Sequence, residues 1–161
     1  MRSLFFVFAV TVLSSLTMNG GDMQSDRAVG EKVLSQAADV MRSGAITKLE
    51  VLYYPKEMLT RTRLNPELLE KQYYYKISIE RFQSSKLKSE MISAFENSAI
   101  KPAAIEPDLR WACIFYNTNN DRVLTMYFDA SGKKGIIDGV SVVSDGRLVK
   151  LLESRCSSLW E

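Results

Sequence analysis

Two apolar stretches, Leu109–Tyr116 and Arg122–Phe128, stand on either side of five polar residues, Asn117-Thr118-Asn119-Asn120-Asp121. Aromatic and β-branched residues on both arms, with a short Asn- and Asp-rich link, predict a β-hairpin. A hairpin is antiparallel by construction, so the sheet that it seeds is not the all-parallel kind. The first arm is apolar at both parities: Trp111, Cys113 and Phe115 fall on one side, Ala112 and Ile114 on the other. Such a strand suits a ligand held between the sheet and a helix, and equally a sheet that is covered on both faces.

The remaining elements follow from periodicity. Val29, Val33, Ala37, Val40 and Met41 recur at helical spacing, with Arg42 in the last turn and Gly44 as the stop signal. Ile46 to Tyr54 alternates as a strand. Leu49, Val51 and Tyr53 point to the core, and Ile46, Lys48, Glu50, Leu52 and Tyr54 point the other way. Asn65 as N-cap and Pro66 at the first position open a short helix, with Leu64 and Leu69 placed to form a hydrophobic staple. Tyr73 to Ile79 reads as a strand with Tyr73, Tyr75, Ile77 and Ile79 on one face. An amphipathic helix is predicted over 85–98, with Leu87, Met91, Ala94 and Phe95 as its buried stripe. The region of Pro102 and Pro107 is a loop. A short strand or pair covers 134–143, with Asp138-Gly139 as a two-residue turn signal. A last helix starts at Asp145 and carries Leu148, Leu151, Leu152, Cys156 and Leu159 on one side. The sum is a single α+β domain: a mostly antiparallel sheet of about five strands, with three longer helices and one short helix packed on it.

The N-terminus stands apart. Arg2 precedes the apolar run Leu4–Leu13, and small and polar residues follow from Ser14, which is the layout of a secretory signal. The run is short for a membrane span, which takes about 20 apolar residues. Residues 1–20 are therefore expected to be a signal peptide and 21–161 the domain. A cut falls after Ser14 or nearer Gly20, and the alternative is an uncleaved anchor. Export to the periplasm or medium follows. Of 21 basic and 19 acidic residues in the chain, the signal contains only Arg2. A charge this balanced provides no footprint for nucleic acid and no polybasic patch for a membrane.

The chain contains no histidine. That removes the usual base for a Ser or Cys nucleophile and the usual zinc ligands. No phosphate-binding glycine loop and no Cys-x-x-Cys occurs, and no cofactor is expected. Carboxylates alone are the remaining route to acid–base chemistry, with Asp108, Asp121, Asp129 and Asp138 as candidates and turn formation as their simpler role. Asp129–Gly132 resembles part of a calcium loop but lacks the alternating oxygen ligands and the final Glu. Cys113 and Cys156 each fall on a core-facing stripe, and in an oxidising compartment a disulfide between them is expected; two separate buried thiols are the alternative.

The last feature is a set of aromatic and basic residues. Tyr54 and Tyr74 are expected to face outward near Arg61 and Arg63, and Tyr and Arg are the residue types that anchor interfaces. These four are the candidate binding residues. The function expected is that of an exported, non-enzymatic binding protein whose partner is another protein of the bacterial envelope, as for an inhibitor or immunity protein. A small-ligand carrier, with a pocket between sheet and helix, is the alternative. A hydrolase using carboxylates alone is the third reading.

Overall fold

A computed structural model describes residues 22–156, with side chains from Gly30 onward. The signal expected over 1–20, the stripe residue Leu159 and the side chain of Val29 lie outside what it describes. In chain order the elements are α1 (Asp22–Arg42), β1 (Lys48–Tyr53), α2 (Pro66–Gln72), β2 (Tyr75–Glu80), a 3-10 turn (Phe82–Ser84), α3 (Lys86–Glu96), β3 (Lys101–Pro102), β4 (Leu109–Tyr116), β5 (Arg122–Asp129), β6 (Lys134–Ile137), β7 (Val140–Val143) and α4 (Arg147–Cys156). The strands form one sheet in the order β2-β1-β4-β5-β6-β7-β3, and every neighbouring pair is antiparallel.

The class is α+β, but the sheet has seven strands where about five are expected from the pattern. Two differences account for this. The stretch 134–143 is a true hairpin, turned by Asp138 and Gly139, both at positive φ (43° and 81°), the conformation of a type I′ turn. The stretch expected to be loop contains β3, a two-residue strand pairing with Val142 and Val143 of β7. Its sequence, Lys-Pro, carries no strand signal, so the partner strand imposes the conformation.

β4 lies third in the order and is buried along its whole length. On one face Trp111, Cys113 and Phe115 join Leu49 and Val51 of β1 and Leu124, Met126 and Phe128 of β5. Helices α1, α3 and α4 cover this face through Ala37, Met41, Met91, Phe95, Leu148 and Leu152. On the other face Ala112, Ile114 and Tyr116 meet Leu52, Tyr127, and Leu64 and Leu69 at the short helix α2. α2 begins as its sequence predicts. Asn65 is the N-cap, its side-chain oxygen accepts from the Leu68 N–H at 2.8 Å, and Pro66 takes the first turn. Leu64 and Leu69 are both buried.

The strand over Tyr75–Glu80 starts later than its tyrosine run suggests. Tyr73 follows α2 as its C-cap and is 39% exposed, so it does not share the core face with Tyr75, Ile77 and Ile79. The helix takes the residue first, and the strand can begin only where β1 is available to pair, with Tyr53 opposite Tyr75.

α1 packs against β3 with almost no clearance. A Cβ on Gly30 would lie 2.4 Å from Cγ of Pro102 and 2.7 Å from its Cβ. Ala for Gly inside a helix ordinarily gains about 1 kcal/mol. At this position the gain should be reversed. Gly30→Ala is expected to lower stability by about 1–3 kcal/mol, the usual range for overpacking, as read from chemical denaturation; an increase in stability would show that α1 does not press on Pro102.

Candidate functional site

Alternation along β1 sends Lys48, Glu50 and Leu52 toward the face that carries α2. Glu50 is directly opposite Ser78 of β2 and Ile114 of β4. Lys76 and Tyr116 are its diagonal neighbours, within reach of long side chains. Both lysines meet one carboxylate oxygen: Lys48 Nζ and Lys76 Nζ are each 2.9 Å from Glu50 Oε1. The Tyr116 hydroxyl donates to Oε2 at 3.0 Å. Glu50 is thus 7% exposed and fully engaged. Burial by itself would push its carboxyl up, but the hydrogen bonds from Lys48, Lys76 and Tyr116 outweigh it and hold the group at about 2.

A second carboxylate sits nearby on α2. Glu70, next to the buried Leu69, receives two guanidinium hydrogen bonds from Arg122, at 3.1 and 2.6 Å, and one from the Tyr127 hydroxyl. Burial opposes its ionisation, yet Arg122 and Tyr127 bring the carboxyl below its ordinary value. Burial first, and then Glu70, raises the Tyr127 hydroxyl. This network fastens α2 to the sheet. Glu50 and Glu70 are held ionised at neutral pH, and the Tyr116 and Tyr127 phenols protonated.

A buried arginine organises the loop between β1 and α2. Arg110 is 8% exposed. Its Nη2 is 2.7 Å from Asp108 Oδ2, and Nη1 donates to the carbonyls of Pro55 at 3.3 Å and Met58 at 3.1 Å. Asp108 Oδ1 accepts from the Leu64 N–H at 2.9 Å. Both ends of the loop are thereby tied to the start of β4.

The four residues expected to form a binding surface are placed unequally. Tyr54 is half-buried, its ring 5.3 Å from the Arg110 guanidinium carbon, and packs against the second apolar cluster instead of facing outward. Once both faces of the sheet are covered, no residue of β1's end is left pointing freely to water. Arg61 and Arg63 are exposed on the tethered loop. Arg63 lines a cleft of about 410 Å³ with Asn65, Ile105, Glu106, Ile136 and Ser141. Tyr74 is 57% exposed and meets Tyr75 edge-on at 4.8 Å. The exposed large apolar residues among those described are Leu59, Tyr73 and Tyr74. Tyr74 lies where β1 ends and β2 begins, since its N–H donates to the Tyr53 carbonyl at 3.0 Å; Tyr73 precedes it, and Leu59 is on the loop leaving β1.

The four aspartates are occupied by backbone and turn contacts. Besides Asp108, Asp121 holds Asn117 across the hairpin turn, and Asp138 accepts from the Thr125 N–H at 2.7 Å. Asp129 Oδ1 accepts from the N–H groups of Lys133 and Lys134 and from the Ser131 hydroxyl. No group of three or more metal-ligating side chains occurs among the described residues. Cys113 and Cys156 are both buried and both free, in place of the expected bridge. Burial pushes the Cys156 thiol up to about 11 and raises Cys113 further still, with the charge of Cys156 adding to the effect. Neither is a ready nucleophile.

Glu50, Glu70 and Arg110 are not anticipated by the periodicity. A carboxylate in the middle of Lys48–Tyr53 looks solvated when the strand is taken to have one wet face. The both-parity apolar pattern of β4 was the available signal that the wet face is covered.

No protein-family model matches this chain, and no curated protein or solved structure matches it either.

Two outcomes follow from this geometry. Glu50 has a folded value near 2 against an ordinary 4.5, so its contribution is fully present above about pH 4.5 and is lost as pH falls toward 2. Glu50→Gln should flatten that part of the stability–pH profile, which in the parent spans on the order of 2–3 kcal/mol; parallel profiles would remove Glu50 from the network. For the cysteines, a thiol reagent should find both groups in the denatured, unreduced protein and neither at a comparable rate in the folded one.

Proposed function

We propose that residues 21–161 form an exported, non-enzymatic binding protein that engages another protein of the envelope, after delivery by the signal over 1–20. The observation that carries the reading is the exposure of Leu59, Tyr73 and Tyr74 on the two segments that flank the end of β1 and the start of β2, one of which also carries the exposed Arg61 and Arg63. Large apolar side chains gathered at one exposed site mark interaction surfaces more than scattered ones do, and Tyr with Arg are the usual anchors. The chemistry of the interior supports the same reading: the carboxylates with lowered values are ionised and partnered, and both thiols are buried. An inhibitor or immunity protein is one form that such a binder takes.

The cleft at Arg63 favours a second reading, a small-ligand carrier. Its volume, about 410 Å³, lies in the range of ligand sites, and it mixes apolar Ile105 and Ile136 with polar Asn65, Glu106 and Ser141. Between sheet and helices, where a carrier pocket is expected from the sequence, the larger apolar cluster packs the interior, and a groove of about 180 Å³ remains between β2 and helices α3 and α4.

Capture from an envelope extract tests the proposal. The parent chain should retain one stoichiometric protein, and the double variant Leu59→Ser, Tyr74→Ala should retain it at least about tenfold less well. A partner retained equally by both chains would place the binding surface elsewhere. Loss of capture in Ile136→Arg, with the double variant still active, would favour the cleft.

A further inference from the structure

The two edges of the sheet are protected to very different degrees. At one, β3 is two residues long, contains Pro102 and lies under α1. A short, proline-bearing, covered strand is how proteins prevent edge pairing. At the other, β2 runs for six residues, Tyr75–Glu80, without proline. Its Tyr75, Ile77 and Ile79 are only half-buried on the helix face, and Lys76, Ser78 and Glu80 are exposed on the opposite face. Ile77 and Ile79 border a groove of about 180 Å³ whose other lining residues are Leu87 and Cys156 together with the charged Lys86, Glu90 and Arg155.

The direction of the free backbone groups follows from the ladder. The Tyr54 N–H donates to the Arg110 carbonyl at 2.8 Å, so the even-numbered residues of β1 bond to β4 and the odd-numbered ones to β2. The odd residues of β1 stand opposite Tyr75, Ile77 and Ile79. The N–H and C=O groups of Lys76, Ser78 and Glu80 therefore point away from the sheet, along the open edge.

We propose that β2 pairs with β2 of a second copy of this chain, antiparallel about a two-fold axis at Ser78, so that two sheets join into one. The side chains of this strand are self-complementary in that register. Antiparallel pairing keeps each residue on its own face, so odd positions meet odd and even meet even. With Ser78 opposite Ser78 of the second copy, Lys76 stands opposite Glu80 of the second copy, twice. Ile77 stands opposite Ile79, also twice. One face brings Lys76, whose ammonium also holds Glu50 at 2.9 Å, against Glu80 of the second copy twice, and the other gains two apolar pairs, both favourable across strands. Glu80 is accessible: its side chain is 70% exposed and its ion pair with Lys48 is long, at 3.9 Å. The left-handed backbone of Arg81, at φ 56°, ends the strand and limits the ladder to this stretch. The contact is isologous, so it closes at two copies and does not propagate.

Sedimentation of the full chain over a range of concentrations, with amide exchange on the same samples, tests the pairing. The parent should show twice the monomer mass at high concentration. The amides of Lys76, Ser78 and Glu80 should become protected as it forms, while those of Tyr75, Ile77 and Ile79 stay as they were. Glu80→Lys places like charges opposite each other twice and should weaken the dimer about tenfold. Ser78→Pro removes an outward donor without touching the β1 ladder and should leave a folded monomer by circular dichroism. A monomer at all concentrations, or a folded Glu80→Lys that associates like the parent, overturns the proposal. Protection of this edge at monomer mass, only when a different protein is added, overturns it equally and assigns the edge to that protein.

Discussion

Burial of β4 on both faces is the constraint around which the rest of this fold is arranged. All eight of its residues lie away from solvent. A strand of that kind cannot rest on one layer of helices, because its second face would leave Ala112 and Ile114 in water along with Leu52 of β1. Three helices cover the first face. The second is left to a seven-residue helix and the loops around it, which is why the start of α2 is so heavily specified. Asn65, Pro66, Leu64 and Leu69 together fix a helix too short to persist alone.

So short a helix cannot reach across the sheet. Where its cover runs out, toward β2, charge replaces hydrocarbon. Lys48, Lys76 and Tyr116 close over Glu50, and Arg122 and Tyr127 bind Glu70 at the boundary between the two regimes. Ionic groups of this kind contribute less to net stability than apolar packing does, since desolvation offsets much of their attraction. Their geometry is nonetheless demanding, and it holds α2 in one place on the sheet.

The elements most legible in the sequence are those whose signals are local. The β4–β5 hairpin, the Asp138-Gly139 turn and the capped start of α2 can all be read from a few adjacent residues, and all three form. What escapes such reading depends on partners distant in the chain. β3 exists because β7 is beside it. Tyr73 is exposed because α2 uses it as a cap before β2 can pair. Glu50 looks solvent-facing until the second layer is known to cover it. The candidate surface was legible in part: Arg61, Arg63 and Tyr74 are exposed, but Tyr54 belongs to the packing beneath Arg110, a contact between residues 56 positions apart in sequence (Tyr54 to Arg110).

Arg110 also gives the loop between β1 and α2 an unusual character. A segment of this length ordinarily samples many shapes and would have to be ordered at each encounter, at a cost of about 0.5–1.5 kcal/mol for every side chain immobilised. Here one guanidinium holds the carbonyls of Pro55 and Met58, and its aspartate partner holds the amide of Leu64. Leu59, Arg61 and Arg63 are thus displayed from a stretch of backbone pinned on both sides. The backbone on either side of these residues is thereby fixed during folding.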